Sequence, residues 1–97
     1  MNSVASSLPP ETILLVDDST DNLRLLSTML QTQGYRVKKS ISGEFALQSL
    51  EVIQPDLILL DINMPGMDGY EVCKTLKKQK KYQSIPCLLY TSPSPRD

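Results

Sequence analysis

Residues 56–69 read Asp56-Leu57-Ile58-Leu59-Leu60-Asp61-Ile62-Asn63-Met64-Pro65-Gly66-Met67-Asp68-Gly69. An apolar run of strand length, Leu57 to Leu60, is closed by an acid and followed by a turn-rich loop. The pattern repeats upstream, where Thr12-Ile13-Leu14-Leu15-Val16 is cut off by Asp17-Asp18. Strands apolar at successive positions are buried on both faces, as in a parallel sheet covered by helices. The segments around them supply those helices. Leu23, Leu26 and Leu30, with Leu25 and Met29 alongside, recur at helical spacing, with Ser19 or Thr20 as N-cap and Gly34 as the stop. Tyr35 to Lys39 reads as a second, more polar strand near an edge. Phe45, Ala46, Leu47, Leu50 and Ile53 mark a second helix ending before Pro55. A third helix after Gly69 would bury Tyr70, Val72, Cys73 and Leu76 and show Lys74, Lys77, Lys78, Lys80 and Lys81 to solvent. Ile85 to Tyr90 forms a fourth strand. Strands alternating with helices predict an α/β fold with right-handed crossovers and helices on both faces.

Composition narrows the function. The chain has 97 residues, 40% hydrophobic and 22% charged, with a formal net charge of −1. That is one small globular domain with no global electrostatic pull toward nucleic acid or anionic membrane. The longest apolar run is far short of a membrane span. The opening Met1 to Pro10 has neither the basic nor the apolar region of a secretory signal, and reads as a disordered leader. Two cysteines, Cys73 and Cys87, without a CxxC spacing and without any histidine, exclude the familiar zinc sites and Cys–His or Ser–His–Asp catalysis. They read as two buried thiols in a reducing compartment.

The acids stand out by position. Asp17 and Asp18 follow the first strand and Asp61 follows the third, so a parallel sheet brings all three to its carboxyl edge. Open α/β sheets bind ligands at that edge. Neighbouring strands lie about 4.7–4.9 Å apart, and two carboxylates at about 5 Å repel by roughly 3 kcal/mol at an effective dielectric near 20. Such a pocket raises a pKa or recruits a cation. All-oxygen ligation favours a hard ion such as Mg²⁺, which leaves positions for phosphate oxygens, and a carboxylate can itself take up a phosphoryl group. Acids after strands also serve as helix caps or solvated loop residues. Met64 and Met67 read as loop packing.

Taken together, residues 13–26 (ILLVDDSTDNLRLL), 55–77 (PDLILLDINMPGMDGYEVCKTLK) and 84–92 (SIPCLLYTS) resemble the receiver domain of two-component response regulators, in continuous register over residues 11–91. The resemblance implies a flavodoxin-like (CheY-like) parallel sheet of strand order 2-1-3-4-5. It implies Asp61 as phosphoacceptor, Asp17, Asp18, Asp61 and the backbone carbonyl of Asn63 as Mg²⁺ ligands, and Thr91 as the hydroxyl that bonds the phosphoryl group. Met64 and Pro65 would shape the loop, and Asp68-Gly69 turn it into the third helix. The implied partners are a sensor histidine kinase or phosphotransfer protein and an effector outside this chain, in the cytoplasm, with no direct nucleic-acid or membrane contact.

The family continues with a fourth helix, a fifth strand bearing a lysine before a proline, and a fifth helix, none of which is read in these 97 residues. Residues 92–97, SPSPRD, read as a non-family tail, and the receiver as partial. An incomplete fold would uncover apolar surface on the sheet and the first helix. The resemblance implies a phosphoacceptor module rather than an enzyme. Two alternatives stay open: a Mg²⁺-dependent aspartyl-phosphate phosphatase and a phosphorylation-independent interaction module. Adjacent acids at Asp17-Asp18, instead of D-x-D-x-T, argue against dehalogenase-type phosphatases.

Overall fold

The computed structural model describes residues 11–91, and the expectations for residues 1–10 and 92–97 lie outside the described residues. Seven elements alternate: β1 (Thr12–Val16), α1 (Thr20–Thr32), β2 (Arg36–Ser40), α2 (Gly43–Ser49), β3 (Leu57–Asp61), α3 (Gly69–Lys77) and β4 (Cys87–Tyr90). The four strands are parallel in the order β2-β1-β3-β4. The fold is the flavodoxin-like one expected from the sequence, in the expected strand order through β4.

Strand alternation sorts the core into two layers. Leu14, Val16, Ile58 and Leu60 point to one face, where they are buried with Ala46 and Leu50 beside α2, Val72 and Leu76 of α3, Met64 and Tyr82. Burying a side chain of this size contributes about 1.5–3 kcal/mol. Ile13 and Leu15 point to the other face, which α1 covers with Leu23 and the small buried Ser27. Coverage on that face thins across the sheet. Ile13 and Leu15 are buried, Leu57 and Leu59 half-buried, and Leu88 is 55% exposed.

Local chemistry sets the boundaries. Ser19 caps α1 by accepting from the Asn22 amide, Ser42 caps α2 through Phe45, and Asp68 caps α3 through Glu71. Gly34 takes φ of 100° to stop α1, and the Tyr35 amide still donates back to the Leu30 carbonyl. Tyr35 therefore belongs to the helix stop, and β2 starts at Arg36. β4 starts at Cys87 rather than Ile85, because the Ile85 amide closes a turn onto Tyr82 and Pro86 has no amide to donate. α2 ends at Ser49, and the chain then tightens through turn bonds such as Val52 to Ser49.

Three helical faces differ from the sequence reading. Gly43, Ala46 and Leu50 form the inward stripe near α2, which leaves Phe45 54% exposed. Val72 and Leu76 form that of α3, so Tyr70, 200° around the helix from Val72 at 100° per residue, is exposed rather than buried. Leu23 and Ser27 lead α1 inward, and Leu25 and Met29 form a second ridge facing solvent. The lysines of α3 are exposed, but Lys77 is more than solvated surface. Its Nζ donates to the carbonyls of Gln83 and Ile85 at 3.1 and 3.2 Å and closes the turn before β4. Tyr82, which sequence patterning passed over, is buried with its hydroxyl donating to the Leu50 carbonyl at 3.4 Å.

Gly69 is set by a close approach. A Cβ there would stand 2.7 Å from the Asp61 carbonyl oxygen and 3.0 Å from Leu89 Cδ2. Backbone on one side leaves no flexible atom to yield. Gly69→Ala is expected to lower stability by about 1–3 kcal/mol, seen as a lower urea midpoint at unchanged slope. A midpoint equal to that of the parent chain would show that α3 can slide off β3 without cost.

Candidate functional site

β1 and β3 are neighbours in the sheet, paired from Ile13–Leu57 to Val16–Leu60. Asp17 and Asp61 are the next residues of this register, so both side chains sit at the carboxyl edge. Both are fully buried. Asp18, one residue on, is exposed. One carboxylate oxygen from each of Asp17, Asp18 and Asp61 lies within 4.8 Å of the others. At that spacing two charges repel by about 3–4 kcal/mol at an effective dielectric near 20.

Four hydrogen bonds hold Asp17. Its amide donates to the Ser40 carbonyl of β2 at 3.1 Å. Its Oδ1 accepts from the Ser19 amide at 2.9 Å, where the chain turns into α1. Its Oδ2 accepts from the Tyr90 hydroxyl at 2.7 Å and from Asn22 Nδ2 at 3.4 Å. Burial raises the Asp17 carboxyl above its ordinary value, the Ser19 and Tyr90 hydrogen bonds pull it back, and the negative charge of Asp61 pushes it up again. Burial, the bond to Asp17 and the surrounding acids also raise the Tyr90 phenol well above its usual range, so it stays a donor at neutral pH.

Asp61 ends β3 opposite Tyr90, and its Oδ1 accepts from the Asn63 amide at 3.0 Å. The Ile62 amide donates to the Tyr90 carbonyl at 2.8 Å and carries the β3–β4 pairing past the acid. Asn63 is exposed two residues beyond β3, and Thr91 is exposed one residue beyond β4 on the same edge. Thus the three acids named from the sequence converge, with Asn63 bonded to one of them. Tyr90 and Asn22 were missed. Tyr90 left one signal: a phenol closing an apolar strand needs a polar partner if it is buried. A cleft of about 740 Å³ lies elsewhere, at the amino-terminal end of the strands between residues 50–55 and Lys81, Tyr82 and Ile85.

A family model described as the response regulator receiver domain matches residues 13–97. The chain belongs to the response regulator receiver domain family. Response regulator PleD of Caulobacter vibrioides is 44% identical over 80 residues, which cover 82% of this chain and 18% of PleD. The chain thus spans less than a fifth of that relative's length. Among solved structures, the receiver domain of a signal transduction histidine kinase from Syntrophus aciditrophicus superposes with a TM-score of 0.81 at 38% identity, over 87% of this chain and 64% of that one. A structure of histidine kinase ThkA in complex with response regulator protein TrrA matches with a TM-score of 0.76 at 37% identity, over 90% of this chain and 75% of that one. As a receiver domain, the chain is a phosphoacceptor module of two-component signalling, in a family whose function is phosphorylation by histidine kinases. No helix among the described residues is long and apolar enough to cross a membrane.

The raised Asp17 carboxyl has a pH signature in the metal-free receiver. The folded chain holds this proton at pH values where the unfolded chain, at about 3.8, has released it. The contribution is therefore fully present below the unfolded value and is lost as pH rises through the folded one. Asp61→Asn removes one repelling charge and keeps an oxygen for the Asn63 amide. It should make metal-free stability fall less over that window and raise the thermal midpoint at neutral pH. Calorimetry from pH 3 to 7 checks this, and a lower neutral midpoint in Asp61→Asn would contradict it.

Proposed function

We propose that Asp61 is the residue of this receiver that takes the phosphoryl group, and that Asp17, Asp18, Asp61 and the Asn63 backbone carbonyl hold Mg²⁺ beside it. The observation that carries this reading is the convergence of three carboxylate oxygens within 4.8 Å at one sheet edge of a receiver-family chain. The donor set fits the ion: hard oxygens, two of them on fully buried side chains, with no nitrogen or sulfur ligand in the group. When bound, Mg²⁺ supplies the positive charge that lets a phosphate approach three acids.

The chain's own groups do the rest. An Asp61 oxygen attacks the phosphorus of a phosphohistidine, the P–N bond breaks, and the donor imidazole leaves. Tyr90 and Ser19 hold Asp17 in place while Asp61 reacts. Phosphorylation adds charge and acceptor oxygens next to Thr91, whose hydroxyl then donates to one of them. On this reading the partner is a sensor histidine kinase or phosphotransfer protein in the cytoplasm, and the output is carried by an effector outside these residues. The chain turns over no substrate of its own.

The test uses acetyl phosphate with MgCl₂ and intact-mass spectrometry. The expected result is the added mass of one phosphoryl group, lost with EDTA and in Asp61→Asn. Persistent labelling of Asp61→Asn would remove Asp61 from the role. For the metal, Asp18→Ala should abolish Mg²⁺ binding. Tyr90→Phe, which only releases an Asp17 oxygen, should weaken it about 10-fold. Unchanged affinity in both variants by titration would place the ion elsewhere.

A further inference from the structure

The register between α3 and β4 sets two thiols opposite one another. At one end, a Cβ on residue 69 would stand 3.0 Å from Leu89 Cδ2. At the other, Lys77 Nζ reaches the Ile85 carbonyl at 3.2 Å. The helix therefore runs against the strand direction, with position 69 at residue 89 and position 77 at residue 85. Cys73 is four residues from each helical end-point, and Cys87 is two residues from each strand end-point. Four helical residues rise about 6 Å and two strand residues about 6.6 Å, so Cys73 falls over Cys87. Side-chain direction agrees, since residues four apart share a helix face and residues two apart share a strand face. Both cysteines are half-buried free thiols packed against the same apolar cluster as Ile85 and Leu89. Cys73 is also among the groups that raise the Cys87 thiol, as a near neighbour would.

We propose that Cys73 and Cys87 form a reversible intramolecular disulfide tying α3 to β4 when the chain meets a small-molecule disulfide of the glutathione class. The Cys73 thiol gives its proton to solvent, and the thiolate attacks one sulfur of the small disulfide. That S–S bond breaks and one small thiolate leaves. The Cys87 thiolate, its proton likewise lost, attacks the Cys73 sulfur of the mixed disulfide and expels the second small thiolate. The two small thiolates take up the two protons, and two electrons have passed from the protein to the oxidant.

The order of attack follows from surroundings. Burial first, and then Cys73, push the Cys87 thiol up to about 11, which makes it the poorer first nucleophile. As the second nucleophile it needs no encounter, because the fold already holds it at the target. It gives up only a weak bond to the Ile85 carbonyl at 3.8 Å. The bond closes the loop of residues 74–86 and fixes α3 against the strand whose Tyr90 holds Asp17. This inference does not depend on the phosphorylation reading, because it rests on the α3–β4 register alone.

The experiment is incubation of the whole chain with oxidised glutathione, in native buffer and in urea at one pH, followed by thiol blocking and non-reducing peptide mapping. The expected product is a monomer with Cys73 joined to Cys87, no free thiol, and full reversal by dithiothreitol. It should form about 10-fold faster in native buffer than in urea, because only the fold aligns the pair. Cys87→Ser should stop at glutathione on Cys73. Equal rates in the two solvents, products limited to mixed disulfides or intermolecular dimers, or two thiols that stay alkylatable would each overturn the proposal.

Discussion

Two buried carboxylates, Asp17 and Asp61, stand at the ends of neighbouring parallel strands, and the surrounding chain is organised around holding that charge in place. Parallel pairing of β1 with β3 makes their juxtaposition unavoidable, since both strands deliver their last residue to the same edge. The repulsion is offset by donors from every direction: the Ser19 amide where α1 begins, the Asn22 amide group one turn into it, the Tyr90 hydroxyl and the Asn63 amide. None of these donors is a full positive charge. A cation arriving at this edge would meet two buried carboxylates and an exposed third, an all-oxygen set that favours a hard ion.

The parts of this arrangement that sequence could reveal are those written in local pattern. Ile13 to Val16 and Leu57 to Leu60 read as doubly buried strands because each is an uninterrupted apolar run, and the acids that close them were conspicuous for the same reason. Strand order followed from family resemblance, not from periodicity. What stayed hidden depends on rotation and distance. Phe45 and Tyr70 lie on helices of seven and nine residues, too short for an apolar stripe to fix its own phase, and both face solvent. Tyr90 reaches Asp17 across 73 residues of chain, a contact no local window contains. Tyr82 follows a lysine-rich stretch and was masked by it, although its ring belongs to the core.

α3 emerges as the element that joins the two ends of the sheet. Its first residue rests on the Asp61 carbonyl and its last reaches the turn before β4. Between them, Val72 and Leu76 fill the core. A displacement of the carboxyl end of β3 is therefore passed to a rigid rod whose far end already grips the entry to the next strand. Cys73 lies midway along that rod.

The uneven covering of the α1 face has a consequence in time. β1 is sealed on both sides, whereas β4 has Leu88 more than half exposed and no further strand beside it among the described residues. Backbone segments with few buried contacts open most often, by local excursions well short of global unfolding. Each excursion of β4 would carry off the Tyr90 hydroxyl and leave Asp17 with its α1 donors alone. The acid cluster is then under intermittent rather than constant restraint. How often Asp17 is let go is set by the lifetime of a four-residue strand, well away from the charges themselves.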